Sequence, residues 1–327
     1  MPYSLVLERA SGTHKNSVQR GPSLLTSTCS VVCLLPQVYS NKLRLAALEA
    51  LCFILFGALE RSGKEWSHIY MKCVNILWTG GWDSTFRIVE LSLKEVTVQP
   101  IYCVTKRHNS DKEINAMKDI LLELRKRPQT KATIKDVELV DINSIPSNQE
   151  ITSAYGRISR KVKLGSQYEW LSRLSTLYPM IEIGIEKPSG EYSGIVTAVK
   201  GDGDFIYDGD TYIVDKSISS DDINLVFGRM SFPIVDRTEN EMLDIIKSIG
   251  YEDVMSKIWF CHEPIDGHPC GICRPCQQKM ECNMKWLLPE KAQRRYRVFK
   301  LCTKMFGDKV GSKIVTKLFR RKSCKNA

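Results

Sequence analysis

The stretch Ile76-Leu77-Trp78-Thr79-Gly80-Gly81-Trp82-Asp83-Ser84-Thr85-Phe86 places two glycines directly after an apolar run and follows them with an acid and two hydroxyls. Cys73–Trp78 reads as a short buried strand, and the spacing of the residues after Asp83 predicts a helix. In an open parallel sheet, ligands bind beyond the carboxyl ends of the strands, where helix N-termini offer unpaired N–H groups and the positive end of the helix dipole. Gly80 and Gly81 let the backbone approach an oxygen cluster with no Cβ in the way. Ser84 and Thr85 add hydroxyl donors at the first helical turn. The Asp83 carboxylate repels phosphate unless Mg²⁺ stands between them or Asp83 serves as a helix cap. A plain strand-to-helix turn is the competing reading. No lysine follows as in a Walker loop, and the glycines do not form a G-x-G-x-x-G fingerprint.

Beyond this turn, Val96–Val104 reads as a second strand rich in β-branched residues, and Asp111–Arg127 as a second helix with Ile114, Met117, Leu121 and Leu124 on one stripe. Asp136–Ile142 reads as a third strand, Gln167–Tyr178 as a helix and Met180–Glu186 as a fourth strand. This alternation predicts an α/β fold, an open parallel sheet with helices on both faces. Lys187–Phe232 breaks the alternation with several glycine turns and reads as a hairpin or flexible insertion. A helix then starts at Thr238, an N-cap with Glu241 three residues on, and closes at Gly250.

The chain has 327 residues, 43% of them apolar, enough for one large domain or two modest ones. Its formal charge of +10 is uneven, because Lys291–Ala327 carries 13 Lys and Arg against the single acid Asp308. In this basic tail Tyr296, Phe299, Leu301, Met305, Phe306, Val310, Ile314 and Leu318 recur at roughly helical spacing. The charged face is read as simply solvated, as a surface for tRNA or another polyanion, or as a site for a membrane or protein partner. Residues 1–70 differ from the rest. They are Ser/Thr-rich early on, and the apolar run Ala50–Leu59 is half the roughly 20 residues a membrane span needs. No membrane span is expected. Met71-Lys72 leads directly into the first strand, so Met71 is expected to be the functional start and residues 1–70 an extension. The expected organisation is therefore an α/β domain over 71–260 with an insertion at 187–232, a metal-binding module over 261–288 and a basic helical tail over 289–327.

Twelve cysteines without a disulfide-stapled domain or a secretory signal point to a reducing cytoplasm. Four of them, Cys261, Cys270, Cys273 and Cys276, have the spacing C-x8-C-x2-C-x2-C, with Gly271 and Pro275 favouring turns that aim the sulfurs inward. Four thiolates suit tetrahedral Zn²⁺ and leave no open position, which makes the metal structural. An iron–sulfur cluster uses the same ligand set and stays open as an alternative.

Thr79-Gly80-Gly81-Trp82-Asp83-Ser84-Thr85 resembles the S-G-G-x-D-S signature of the PP-loop ATP pyrophosphatases, with Thr79 in the first serine position. Within that group, Trp259, Cys261, Pro269, Cys270, Gly271, Cys273 and Cys276 are similar to the W-x-C…P-C-G-x-C-x-x-C pattern of the 7-cyano-7-deazaguanine synthase family. Phe232–Gly250 is similar to that family's strand and helix before the zinc site, and Lys106, Arg107, His108, Glu113 and Ala116 partly match its Gln-x-His-x-x-Glu segment. The likeness covers roughly residues 72–285. It implies an adenine nucleotide alpha hydrolase-like fold and ATP, Mg²⁺ and Zn²⁺ as cofactors. It also implies an ATP-dependent ligase activity that adenylates a carboxylate for attack by ammonia, giving an amide and then a nitrile on the route to queuosine. Gly80, Gly81, Ser84 and Thr85 would hold the ATP phosphates, with Thr79 assisting and Asp83 near Mg²⁺. The family's Arg-Asn-rich segment has no counterpart in Gly165–Pro179, so the activation chemistry is better supported than the deazapurine substrate. A tRNA-modifying PP-loop enzyme and a non-catalytic zinc protein that binds nucleic acid are the rival readings. The residues leave a homodimer open.

Overall fold

Cys73–Leu77 forms β1, and its alternate residues are drawn into separate cores. Val74 and Ile76 enter one apolar cluster while Leu77 packs against another, so the strand is covered on both faces. β2 (Thr97–Val104) behaves alike, sending Val98 and Tyr102 into the first cluster and Ile101 and Cys103 into the second. The computed structural model describes residues 72–105, 110–187 and 194–307, with residues 310, 313–315 and 317–319. The expectations for residues 1–70 and Met71, and the matches at Lys106, Arg107 and His108, lie outside the described residues.

The sheet is mixed and mostly parallel. Its strand order is β3-β2-β1-β5-β8-β7-β6, with β4 also paired to β2. Here β3 is Thr133–Ile134, β4 Glu138–Asp141, β5 Ile181–Ile183, β6 Phe205–Tyr207, β7 Tyr212–Val214 and β8 Met230–Ser231. The pairs made by β1, β2 and β5 are all parallel, whereas β6–β7 and β7–β8 are antiparallel. Lys187–Phe232 thus contains the expected hairpin, but it also supplies β8 to the parallel part of the sheet and two helices, α5 (Ile195–Asp202) and α6 (Asp221–Phe227). Its glycines had masked these elements, which are too short to show periodicity.

Helices surround the sheet. α1 (Trp82–Ser92), α2 (Ser110–Lys126) and α7 (Glu239–Ile249) contribute to the first core; α3 (Gln149–Lys161), α4 (Gln167–Ser175) and α6 contribute to the second. Sequence reading passed over α3, whose apolar stripe is only Ile151, Ala154 and Ile158. α7 begins with the expected capping box between Thr238 and Glu241 and ends at left-handed Gly250. A short α8 (Glu252–Met255) follows, then the cysteine segment with α9 (Arg274–Glu281), and finally α10 (Glu290–Phe306).

α1 is anchored to β5 by a buried bidentate pair, Arg87 Nε and Nη2 donating to Glu182 at 2.8 and 2.9 Å. Removing one partner of such a pair strands a buried charge and typically costs about 3–5 kcal/mol. The tip of the β6–β7 hairpin joins this network, since Asp210 accepts from Lys94 at 2.7 Å and Lys72 at 3.0 Å. Partial burial opposes ionisation of Asp210, yet those two hydrogen bonds and the nearby Arg87 charge hold its carboxyl down at about 2. A carboxyl depressed below its unfolded value of 3.8 adds stability that is present above that value and lost as pH falls towards about 2. Asp210→Asn is therefore expected to be less stable than the parent at neutral pH in urea titrations, with the gap closing between about pH 4 and about pH 2. A gap that stays constant over that range contradicts this account of the hairpin.

Candidate functional site

Between β1 and β5 the strand order changes direction, since β2 lies on one side of β1 and β5 on the other. In an open α/β sheet this is where a crevice opens at the carboxyl ends of the strands. The glycine turn sits there. Gly80 has φ +68°, the left-handed region that favours glycine, and a Cβ on it would come within 3.1 Å of the Glu113 carbonyl oxygen and 3.2 Å of Met117. Gly81 is extended and no side chain caps α1 behind it, so the first-turn N–H groups of that helix are open to an acceptor. Across the crevice, Gly184 passes so close to the turn that an added Cβ would lie 3.1 Å from the Ser84 backbone nitrogen.

Thr79, Gly81, Asp83 and Ser84 line a cavity of about 180 Å³ together with Gln167 and Tyr168 of α4 and Gly184. The Ser84 hydroxyl oxygen faces the turn, accepting a 3.4 Å hydrogen bond from the Thr79 N–H. Thr85 is different. It is fully buried, its hydroxyl accepts from the Trp78 indole N–H at 2.9 Å and its backbone N–H donates to Gly81, so it supports the turn from behind instead of offering a donor to the cavity. Gly80 likewise shapes the turn without lining that cavity.

The fold brings to Asp83 two carboxylates that sequence reading missed, Glu186 and Glu239. One carboxylate oxygen each from Asp83, Glu186 and Glu239 lies within 4.8 Å of the others. Glu186 follows β5, and Glu239 opens α7. Burial pushes the Asp83 carboxyl up to about 6, with the Glu239 charge adding to it and Lys279 opposing it. Burial and then the charges of Asp83 and Glu239 push Glu186 up to about 7. Glu239 is 5% exposed and pairs through Oε1 with buried Lys279, while its Oε2 has no hydrogen-bond partner among the described residues. Gln278 donates to Glu186 at 2.8 Å, and the Lys279 ammonium lies 5.0 Å from the centre of the Trp82 ring. Three crowded carboxylates with one buried, unsatisfied oxygen make a donor set suited to a hard divalent cation such as Mg²⁺. The available signal was positional: one acid just past the end of a central strand and another in the first turn of a helix.

Gln278 and Lys279 belong to α9, which starts in the cysteine segment. Cys261, Cys270, Cys273 and Cys276 bring all four sulfurs within 4.8 Å of one another. The Cys270–Cys276 and Cys261–Cys273 separations are 3.9 Å, close to the edge of about 3.8 Å expected for a tetrahedron with metal–sulfur bonds of about 2.3 Å. Backbone N–H groups of Cys270, Ile272 and Cys273 donate to the sulfurs of Cys261 and Cys270 at 3.2 to 3.3 Å, an arrangement that favours thiolates. The cluster therefore fits a metal such as zinc. Gly271, at φ +80°, is required by packing, since a Cβ there would lie 2.1 Å from the Ala292 carbonyl oxygen of α10. Arg295 of the same helix donates to the carbonyls of Cys270 and Pro269. The N–H of Trp259, two residues before Cys261, donates to the Gly80 carbonyl at 2.9 Å and ties the cysteine segment to the glycine turn.

The chain matches no protein-family model and no curated protein. Among the described residues no helix is long and apolar enough to cross a membrane.

Purified protein is expected to carry about one zinc per chain by elemental analysis, and chelation is expected to lower its melting temperature, because a structural zinc contributes folding free energy. Iron accompanied by visible absorbance, or no bound metal, contradicts the structural-zinc reading.

Proposed function

We propose that this protein is an ATP-dependent ligase of the PP-loop type with an adenine nucleotide alpha hydrolase-like fold, related to 7-cyano-7-deazaguanine synthase. The observation that carries the reading is the uncapped start of α1 after Gly80-Gly81, whose first-turn Asp83 carboxylate lies within 4.8 Å of those of Glu186, just past β5, and of Glu239. An anion-binding helix start beside a carboxylate cluster suits a polyphosphate that arrives with its metal. Lys279 pairs with only one of the three carboxylates, Glu239, and burying the other two beside it in ionised form is costly without a further cation.

In this reading the first-turn N–H groups and Ser84 hold the ATP phosphates, Thr79, Gly80 and Gly81 shape their cradle, and Thr85 braces it. Asp83, Glu186 and Glu239 are the residues that would hold Mg²⁺, which supplies charge neutralisation on the phosphates. The acceptor carboxylate occupies the cavity bounded by Gln167 and Tyr168. Its oxygen attacks the α-phosphorus and pyrophosphate departs. Ammonia then displaces AMP to give the amide. A second adenylation, on the amide oxygen, followed by loss of AMP and a proton, yields the nitrile. The substrate favoured by the motif resemblance is 7-carboxy-7-deazaguanine.

Ser84→Ala is expected to lower ATP turnover by about 10–100-fold, the scale of one or two lost hydrogen bonds to a charged group, with little change in melting temperature. The substrate is tested by incubating the protein with ATP, ammonia and 7-carboxy-7-deazaguanine and following AMP, amide and nitrile by mass spectrometry. AMP formed only with another carboxylate would keep the chemistry and overturn the substrate. No carboxylate-stimulated AMP release would overturn the enzyme.

A further inference from the structure

α10 and the residues beyond it do more than cover the cysteine cluster. Phe299, Val315 and Phe319 pack into the apolar cluster around Cys261, Cys270 and Cys276. Yet Leu301, Met305, Phe306, Val310, Ile314 and Leu318 remain 41 to 65% exposed. Five of them fall at helical intervals, Leu301 with Met305 and Val310 with Ile314 and Leu318, so each group shares one helix face, and Phe306 is the last residue of α10. Exposed lysines border them, with Lys304 next to Met305, Lys313 next to Ile314 and Lys317 next to Leu318. Gly307, with φ +75°, ends α10 between Phe306 and Val310.

We propose that the exposed apolar side chains of α10 and of Val310, Ile314 and Leu318, with the lysines beside them, dock this protein onto an anionic lipid surface. The boundary of a bilayer accepts aliphatic and aromatic side chains to the depth of one helix face, while lipid phosphates meet lysines that extend outward from its edges. Phosphate contacts on a nucleic acid would satisfy the lysines and leave the six apolar side chains in water. A second copy seated on the same face would set the exposed Lys304, Lys313 and Lys317 of each copy against those of the other. No helix among the described residues is long and apolar enough to cross the bilayer, so the contact is with its surface.

The test is flotation of the full chain with vesicles of phosphatidylcholine alone and of phosphatidylcholine with phosphatidylglycerol in equal parts. Binding is expected only with the anionic vesicles and is expected to weaken as salt rises. V310E/I314E/L318E should reduce partitioning by about tenfold or more. K304E/K313E/K317E should reduce it as well, and both variants should retain the metal content of the parent. The proposal is overturned if the parent does not float with anionic vesicles, or if the apolar substitutions leave flotation unchanged. It is also overturned, in favour of a nucleic-acid surface, if vesicles do not bind while RNA binding is lost in the lysine variant and kept in the apolar one.

Discussion

The hydrogen bond from the Trp259 N–H to the Gly80 carbonyl couples two parts of the protein that sequence alone presents as separate motifs. It fixes one peptide of the glycine turn to a segment whose own conformation is set two residues later by Cys261. From the same segment α9 carries Gln278 to Glu186 and Lys279 to Glu239. The cysteine cluster thus holds the turn from one side and positions partners for the carboxylates from the other. Without the cluster, a loop rich in Gly and Pro would have little to order it, because ordering each backbone residue costs about 1–2 kcal/mol.

α1 is held at two points as well. The Arg87–Glu182 pair secures its middle to β5, and Gly184, two residues beyond Glu182, allows β5 to run directly against the backbone at Ser84. These constraints keep the helix start at a fixed distance from Glu186. The consequence is the elevated Asp83 and Glu186 carboxyls, whose ionised forms are penalised first by burial and then by neighbouring carboxylates. Lys279 offsets part of that repulsion but is itself committed to Glu239. On the proposed reading, Mg²⁺ bound with nucleotide supplies the rest.

Much of the architecture could be read from the chain. β1 and α7 were legible because glycines or the Thr238–Glu241 box mark their boundaries, and β2 and α2 because their runs are long enough to show β-branched enrichment and an apolar stripe. β8 and the helices around the β6–β7 hairpin were not, because two- and three-residue strands carry no period and owe their existence to neighbours already in the sheet. At the site, the cysteines and the glycine turn declared themselves by spacing. Thr85 could not be told from Ser84, since only the fold shows that one hydroxyl meets Trp78 and the other the crevice. Glu186, Glu239 and Lys279 lie too far apart in the chain for any local pattern to join them.

The most direct test of this account separates the contribution of α9 from that of the glycine turn. Calorimetric titration of α,β-methylene-ATP in the presence of Mg²⁺ should show binding to the parent protein. A Gln278→Leu, Lys279→Met variant that retains its metal and its fold should bind at least about tenfold more weakly, a loss of about 1.4 kcal/mol. Equal affinity in the two proteins would show that the nucleotide site does not depend on groups delivered by the cysteine module, and would contradict the central claim.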